Sequence, residues 1–113
     1  MTALLLAALL AAPPAEGFKA RGFMLPDGAV KIDDDRYRLP APWDETLKFY
    51  RRAYPTGKFP RKTLHSQTSV RALHIDNPSG VEWDGVNIYE AGRGEVRLYI
   101  LPGKEPPEKP AKP

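Results

Sequence analysis

"PWDETLKFYRRAYP", Pro42 to Pro55, carries the signals of a helix with defined ends. Pro42 suits a first helical position, where its missing N–H is no loss. Asp44 and Glu45 fall in the first turn and Arg51 and Arg52 in the last, each complementing the helix dipole, and Pro55 blocks continuation. Trp43, Leu47, Tyr50 and Tyr54 recur at spacings of 4, 3 and 4 residues and so share one stripe. The pattern predicts a helix from about Pro42 to Tyr54 that buries those four side chains and leaves Phe49 off the stripe.

Such a helix needs a second layer, and the flanking sequence supplies strands. Downstream, "TSVRALHID" (68–76), "GVNIYE" (85–90) and "EVRLYILP" (95–102) combine β-branched and aromatic residues with turn clusters between them. "NPSG" (77–80) separates the first two, and "AGRG" (91–94) has glycines able to take positive φ and close a hairpin between the last two. Upstream, Asp27-Gly28 marks a turn, and the run through Val30, Ile32, Tyr37 and Leu39 reads as one interrupted strand or a small hairpin. Trp83 is the expected anchor of the core. The fold class is therefore α+β in two layers, one amphipathic helix packed on a small antiparallel sheet in the order strand, helix, strand, strand, strand.

The ends read differently. "ALLLAALLAA" (3–12) is ten apolar residues closed by two prolines, too short for the roughly 20 that a helix needs to span a bilayer. With Ala15-Glu16-Gly17 offering small residues at the spaced positions of a cleavage site, residues 1–17 are expected to be a secretory signal, although no Lys or Arg precedes the apolar run. The mature chain would start near Phe18, be exported to the periplasm or medium, and carry no transmembrane segment. "PGKEPPEKPAKP" (102–113) alternates Pro with Lys and Glu and is expected to be a disordered tail from residue 103. That leaves residues 18–102 as one small domain. The sequence has no cysteine, so a disulfide framework is excluded and packing must stabilise the domain.

The same pass finds little chemistry. Two histidines and no HExxH-like pair argue against a zinc site, and the Asp33-Asp34-Asp35 triplet lacks the spaced acids and distal Glu of a calcium loop. No serine sits in a nucleophile elbow, and no glycine-rich phosphate loop precedes a helix. No catalytic residue, metal or cofactor is assigned, and the expectation is a non-enzymatic module. The alternative from another class is a minimal hydrolase or metal-assisted enzyme around His74 and Asp76, with Asp84 or Glu90.

Two groups of residues make a candidate binding surface. "KFYRRAYPTGKFPRK" (48–62) holds six cations, no acid and four aromatic rings. Its helical half spends its tyrosines on the core, and Asp44 and Glu45 precede Lys48 at pairing distance. Arg51, Arg52, Lys58, Arg61 and Lys62 remain as anion-binding candidates, and they form one site only where the connection after the helix folds back on it. On the predicted hairpin, Asn87 and Tyr89 alternate with Val86 and Ile88, so they share the face opposite the core with Arg97 and Tyr99. A protein or an anionic envelope polymer is the expected partner. Nucleic-acid binding by residues 48–62 is a weaker alternative, disfavoured by the export signal.

The chain resembles a loose group of small exported bacterial proteins in which a Pro-Gly-Ala-like turn and strand precede an "ETLKFYRR"-type helix and a closing β-hairpin. The matching residues are Pro26 to Val30, Glu45 to Arg52 and Trp83 to Tyr99. The resemblance implies that element order and export, and it brings no catalytic residues.

Overall fold

The computed structural model describes residues 17–67 and 70–106, without the side chains of residues 65–67 and 70. Most of the expected signal segment, the strand start at Thr68-Ser69 and the tail from residue 107 lie outside the described residues. No helix of the described residues is long and apolar enough to cross a membrane.

Four short strands precede the helix and four longer ones follow it. These are β1 (Gly17–Ala20), β2 (Phe23–Pro26), β3 (Val30–Asp33), β4 (Arg36–Arg38), α1 (Trp43–Ala53), β5 (Arg61–Gln67), β6 (Val70–Asp76), β7 (Trp83–Glu90) and β8 (Val96–Pro102). β1 and β2 form a separate hairpin; the other six make one antiparallel sheet in the order β3-β4-β8-β7-β6-β5. The two-layer α+β architecture is the expected one, with one helix against an antiparallel sheet.

The element list is richer than the expected order. The run from Val30 to Leu39 is a hairpin, and its second strand inserts beside β8. The presumed connection after Pro55 becomes strand at Arg61, once Lys58 N–H and Phe59 N–H have both bonded to the Pro55 carbonyl. Gly103 and Lys104, expected to begin the tail, are ordered: Lys104 donates to the Gly80 carbonyl at 2.7 Å and accepts from Glu82 N–H at 2.7 Å.

The helix is bounded nearly as its sequence indicates. Pro42 sits one residue outside it in extended backbone, and its carbonyl accepts the first helical bond from Thr46 at 2.9 Å. Trp43 and Tyr50 are buried and Leu47 and Tyr54 half-buried, as the stripe requires, with Thr46 also buried because its hydroxyl donates to the Ala41 carbonyl. The β1–β2 hairpin turns through Arg21 and Gly22 at φ +50° and +75°, the two-residue loop whose twist matches antiparallel strands.

One face of the six-stranded sheet is covered by α1 and the β1–β2 hairpin together. Ile75, Val86, Ile88, Val96, Leu98 and Ile100 from the sheet meet Phe23 and Leu25 from the hairpin and Trp43 and Tyr50 from the helix. Trp83 is the expected anchor: Phe23 meets its ring edge-on at 4.8 Å and Tyr54 at 5.3 Å, while Phe59 stacks on it at 5.9 Å. The tyrosines also hold backbone. The Tyr50 hydroxyl donates to the Met24 carbonyl and the Tyr54 hydroxyl accepts from the Met24 N–H, both at 2.9 Å. β2 pairs on one side only, so these hydroxyls take the place of a further strand along its open edge.

Two outcomes follow. Tyr54→Phe leaves the Met24 N–H, and Tyr50→Phe the Met24 carbonyl, without its partner, so each variant is expected to lose about 1–3 kcal/mol, read as a lower urea midpoint; Tyr54→Phe also speeds hydrogen exchange at Met24. The second concerns alkali. Burial, with Tyr54 nearby adding to it, pushes the Tyr50 phenol well above its ordinary value, and burial raises Tyr54 as well. The unfolded phenols ionise near pH 10 while the folded ones stay protonated, so stability is intact below about pH 10 and falls as pH rises beyond it. Urea midpoints measured across that range are expected to decline less steeply for Tyr50→Phe than for the natural chain.

Candidate functional site

The opposite face of the six-stranded sheet has no second layer among the described residues. Side chains alternate along each strand, so the pairing register alone fixes which ones share this face. Two rows cross it. One runs Asp33, Arg36, Tyr99, Asn87, His74, Lys62 from β3 to β5; the next runs Val30, Arg38, Arg97, Tyr89, Ala72 from β3 to β6. All four candidates from the hairpin, Asn87, Tyr89, Arg97 and Tyr99, therefore stand together, each half-buried.

Their contacts make a connected surface. The Arg36 guanidinium lies 4.3 Å from the centre of the Tyr99 ring, a cation–π contact, and reaches the Tyr89 hydroxyl at 3.4 Å. Arg97 donates to Glu95 at 3.0 Å, so one carboxylate already answers it. Arg36 and Arg38 are exposed and form no ion pair among the described residues. His74 lies over Gly85, where a Cβ would be 2.5 Å from its ring, and its Nδ1 is 2.7 Å from the Asn87 Oδ1.

Arg36 and Arg38 escape the sequence reading. Their alternation about half-buried Tyr37 was visible, but their value lies in the β4–β8 pairing, a contact across some sixty residues that no local signal announces. His74 is also drawn in, as the neighbour of Asn87 on an interior strand.

The basic segment divides. Arg61 folds back on the helix, donating to the Tyr50 carbonyl at 2.9 Å and to the Phe59 carbonyl at 2.6 Å, beside Arg51. Burial lowers its pKa, and the Arg51 charge lowers it further. Lys62, one residue on, points to the other face of the sheet, in register with His74. Arg52 borders a shallow concavity with Glu45, Lys48 and Phe49 on the outer side of α1. Lys58 is exposed in the loop. These five cations do not form one site.

The residues of the enzymatic alternative are only partly brought together. His74 Nε2 is 3.9 Å from Asp76, but Glu90 is held by Arg71 at 3.0 and 3.2 Å, and Glu90 lies an odd number of residues from Asn87, on the covered side. No group of three or more His, Asp or Glu among the described residues is placed to hold a metal ion. No protein-family profile, curated protein or solved structure matches the chain.

The His74–Gly85 contact is testable. Gly85→Ala places a methyl group where the imidazole now lies and brings a Cβ to 3.1 Å from the Ile75 carbonyl oxygen. The variant is expected to lose about 1–3 kcal/mol by overpacking and to shift the His74 ring resonances as the Asn87 bond breaks, measured by urea unfolding and two-dimensional NMR.

Proposed function

We propose that the uncovered sheet face binds an extended anionic polymer and that the protein is a small exported, non-enzymatic module acting on the cell envelope. The observation that carries this reading is the pair of exposed arginines on β4, Arg36 and Arg38, which form no ion pair among the described residues and are set beside the Tyr89 and Tyr99 rings. Within a row the side chains stand at the strand spacing of about 4.8 Å, so a chain laid across the six strands meets successive polar and aromatic groups over about 24 Å. Arginine forks suit carboxylate and phosphate groups, and ring faces suit the flat sides of sugar units between them.

A polymer fits this face better than a folded protein does. Protein interfaces centre on a desolvated apolar anchor, whereas here Asn87, Tyr89, Arg97 and Tyr99 occupy the middle and the smaller apolar residues, Val30 and Ala72, lie to the sides. Export is supported by the apolar run of residues 3–12 and the small residues before Phe18. Removal of residues 1–17 would cost β1 only its first residue, Gly17, so cleavage there is compatible with the hairpin.

The full chain is expected to be retained on immobilised polygalacturonate at low salt, released by sodium chloride, and not retained on neutral dextran. Arg36→Ala with Arg38→Ala should weaken retention about tenfold, the combined effect of two exposed charge contacts, while Lys58→Ala leaves it unchanged. Equal retention by the double variant, or a stronger hold on single-stranded DNA than on the polyuronate, overturns the reading. Mass spectrometry of the native N-terminus in an exported fraction is expected to place it near Phe18.

A further inference from the structure

On the covered side of the sheet, a groove of about 250 Å³ opens between α1, the start of β5 and the middle of β6. Its walls are Leu47 and Tyr50 from the helix and Leu73 from β6, with Thr56 at the rim; Arg51 and Arg61 complete the lining. It lies on the other side of the sheet from the two rows described above and does not depend on the function proposed for them.

The groove joins an apolar floor to an excess of positive charge. Arg51 and Arg61 come from the last helical turn and the first strand residue after it, and neither forms an ion pair among the described residues. Arg61 spends two N–H groups on the Tyr50 and Phe59 carbonyls, while the fork carries five. Donors remain for a ligand. The burial and the nearby Arg51 that depress the Arg61 pKa are the same two features an anion would relieve, by supplying the missing opposite charge. Of the carbonyls at this end of the helix, the Tyr50 oxygen is covered by Arg61 and by Tyr54 N–H.

We infer that this groove is a second binding site, for a small carboxylate with an apolar body: the body lies against Leu47, Tyr50 and Leu73, and the carboxylate bridges Arg51 and Arg61. Size limits the ligand. An apolar cavity of roughly 150 Å³ takes up benzene, so the present groove houses one ring, or a short alkyl chain, with its acid group. A polymer does not fit it.

Benzoate serves as the probe, with benzyl alcohol as its uncharged counterpart, each titrated into the isotopically labelled full chain and followed by NMR. Benzoate is expected to shift the methyl resonances of Leu47 and Leu73 and to bind at least about tenfold more tightly than benzyl alcohol, the increment of a charge-assisted hydrogen bond. Arg51→Gln, at an exposed helical position, should reduce benzoate affinity about tenfold by the same increment. Arg52→Gln makes the same charge change outside the groove and should leave affinity unaltered. The inference is overturned by equal binding of the two probes, by equal losses in the two variants, or by benzoate shifts that appear at Tyr89 and Tyr99 in place of Leu47 and Leu73. The probe comparison needs no variant, so it holds even where a substitution disturbs folding.

Discussion

Met24 gives both of its backbone polar groups to tyrosine hydroxyls, one on the helix and one on the residue that ends it, and the architecture depends on that grip. A two-stranded hairpin is marginal alone. Here β1 and β2 are fixed because the hydroxyls satisfy the open edge of β2 while Phe23 stacks on Tyr54 at 4.9 Å and on Tyr50 at 5.2 Å. The two bonds contribute about 1 kcal/mol each, less than the burial of the rings that carry them. Their importance is directional: stacked rings alone tolerate sliding, and a bonded N–H and C=O on one residue do not.

With hairpin and helix locked together, the described residues form one covering layer and a six-stranded sheet to cover. All of that layer goes to one face. Among the described residues nothing covers the other face, and its composition fits that: Arg36, Arg38, Asn87, Arg97, Tyr89 and Tyr99 occupy positions that alternate with Tyr37, Val86, Ile88, Val96, Leu98 and Ile100. An antiparallel sheet tolerates this asymmetry because each strand separates its two faces residue by residue. Polar residues crowded against tyrosines on a wet face are thus a consequence of the covering layer's size before they are a binding surface. What distinguishes this face from an ordinary solvated one is that Arg36 spends its charge on rings and Arg38 spends its charge on no acid among the described residues.

The parts legible in the sequence were those governed by local spacing. The helix from Trp43 to Ala53 announces both its ends and its stripe, and the β7–β8 hairpin announces its turn, where Arg93 and Gly94 take φ of +67° and +75°. The illegible parts were short or were set by distant pairing. β1 and β2 have four residues each, too few for a period to show. β4, three residues long, was readable as the second arm of a small hairpin, but its place beside β8 was not. β5 carries Arg, Lys and His in place of a clean apolar alternation and is strand because β6 offers it an edge. The hairpin half of the candidate surface was readable for the same reason as the hairpin itself, and its arginine half was hidden with the β4–β8 pairing.

The segment from Lys48 to Lys62 shows how much a sequence cluster overstates a site. Six cations lie within fifteen residues, yet strand geometry sends Arg61 and Lys62 to opposite sides of the sheet, because neighbours on a strand never share a face. Arg61 turns to the helix end and Lys62 to the rows of the outer face. Contiguity in the chain therefore dispersed these charges, and register gathered others from β4 and β8 that lie far apart in sequence. Helix and sheet interpose themselves between the groove at Arg51 and Arg61 and the surface at Arg36 and Arg38, so a ligand on one cannot touch the charges of the other. Two strands join the sites residue to residue: Arg61 of β5 and Leu73 of β6 line the groove, and the next residue on each, Lys62 and His74, faces outward.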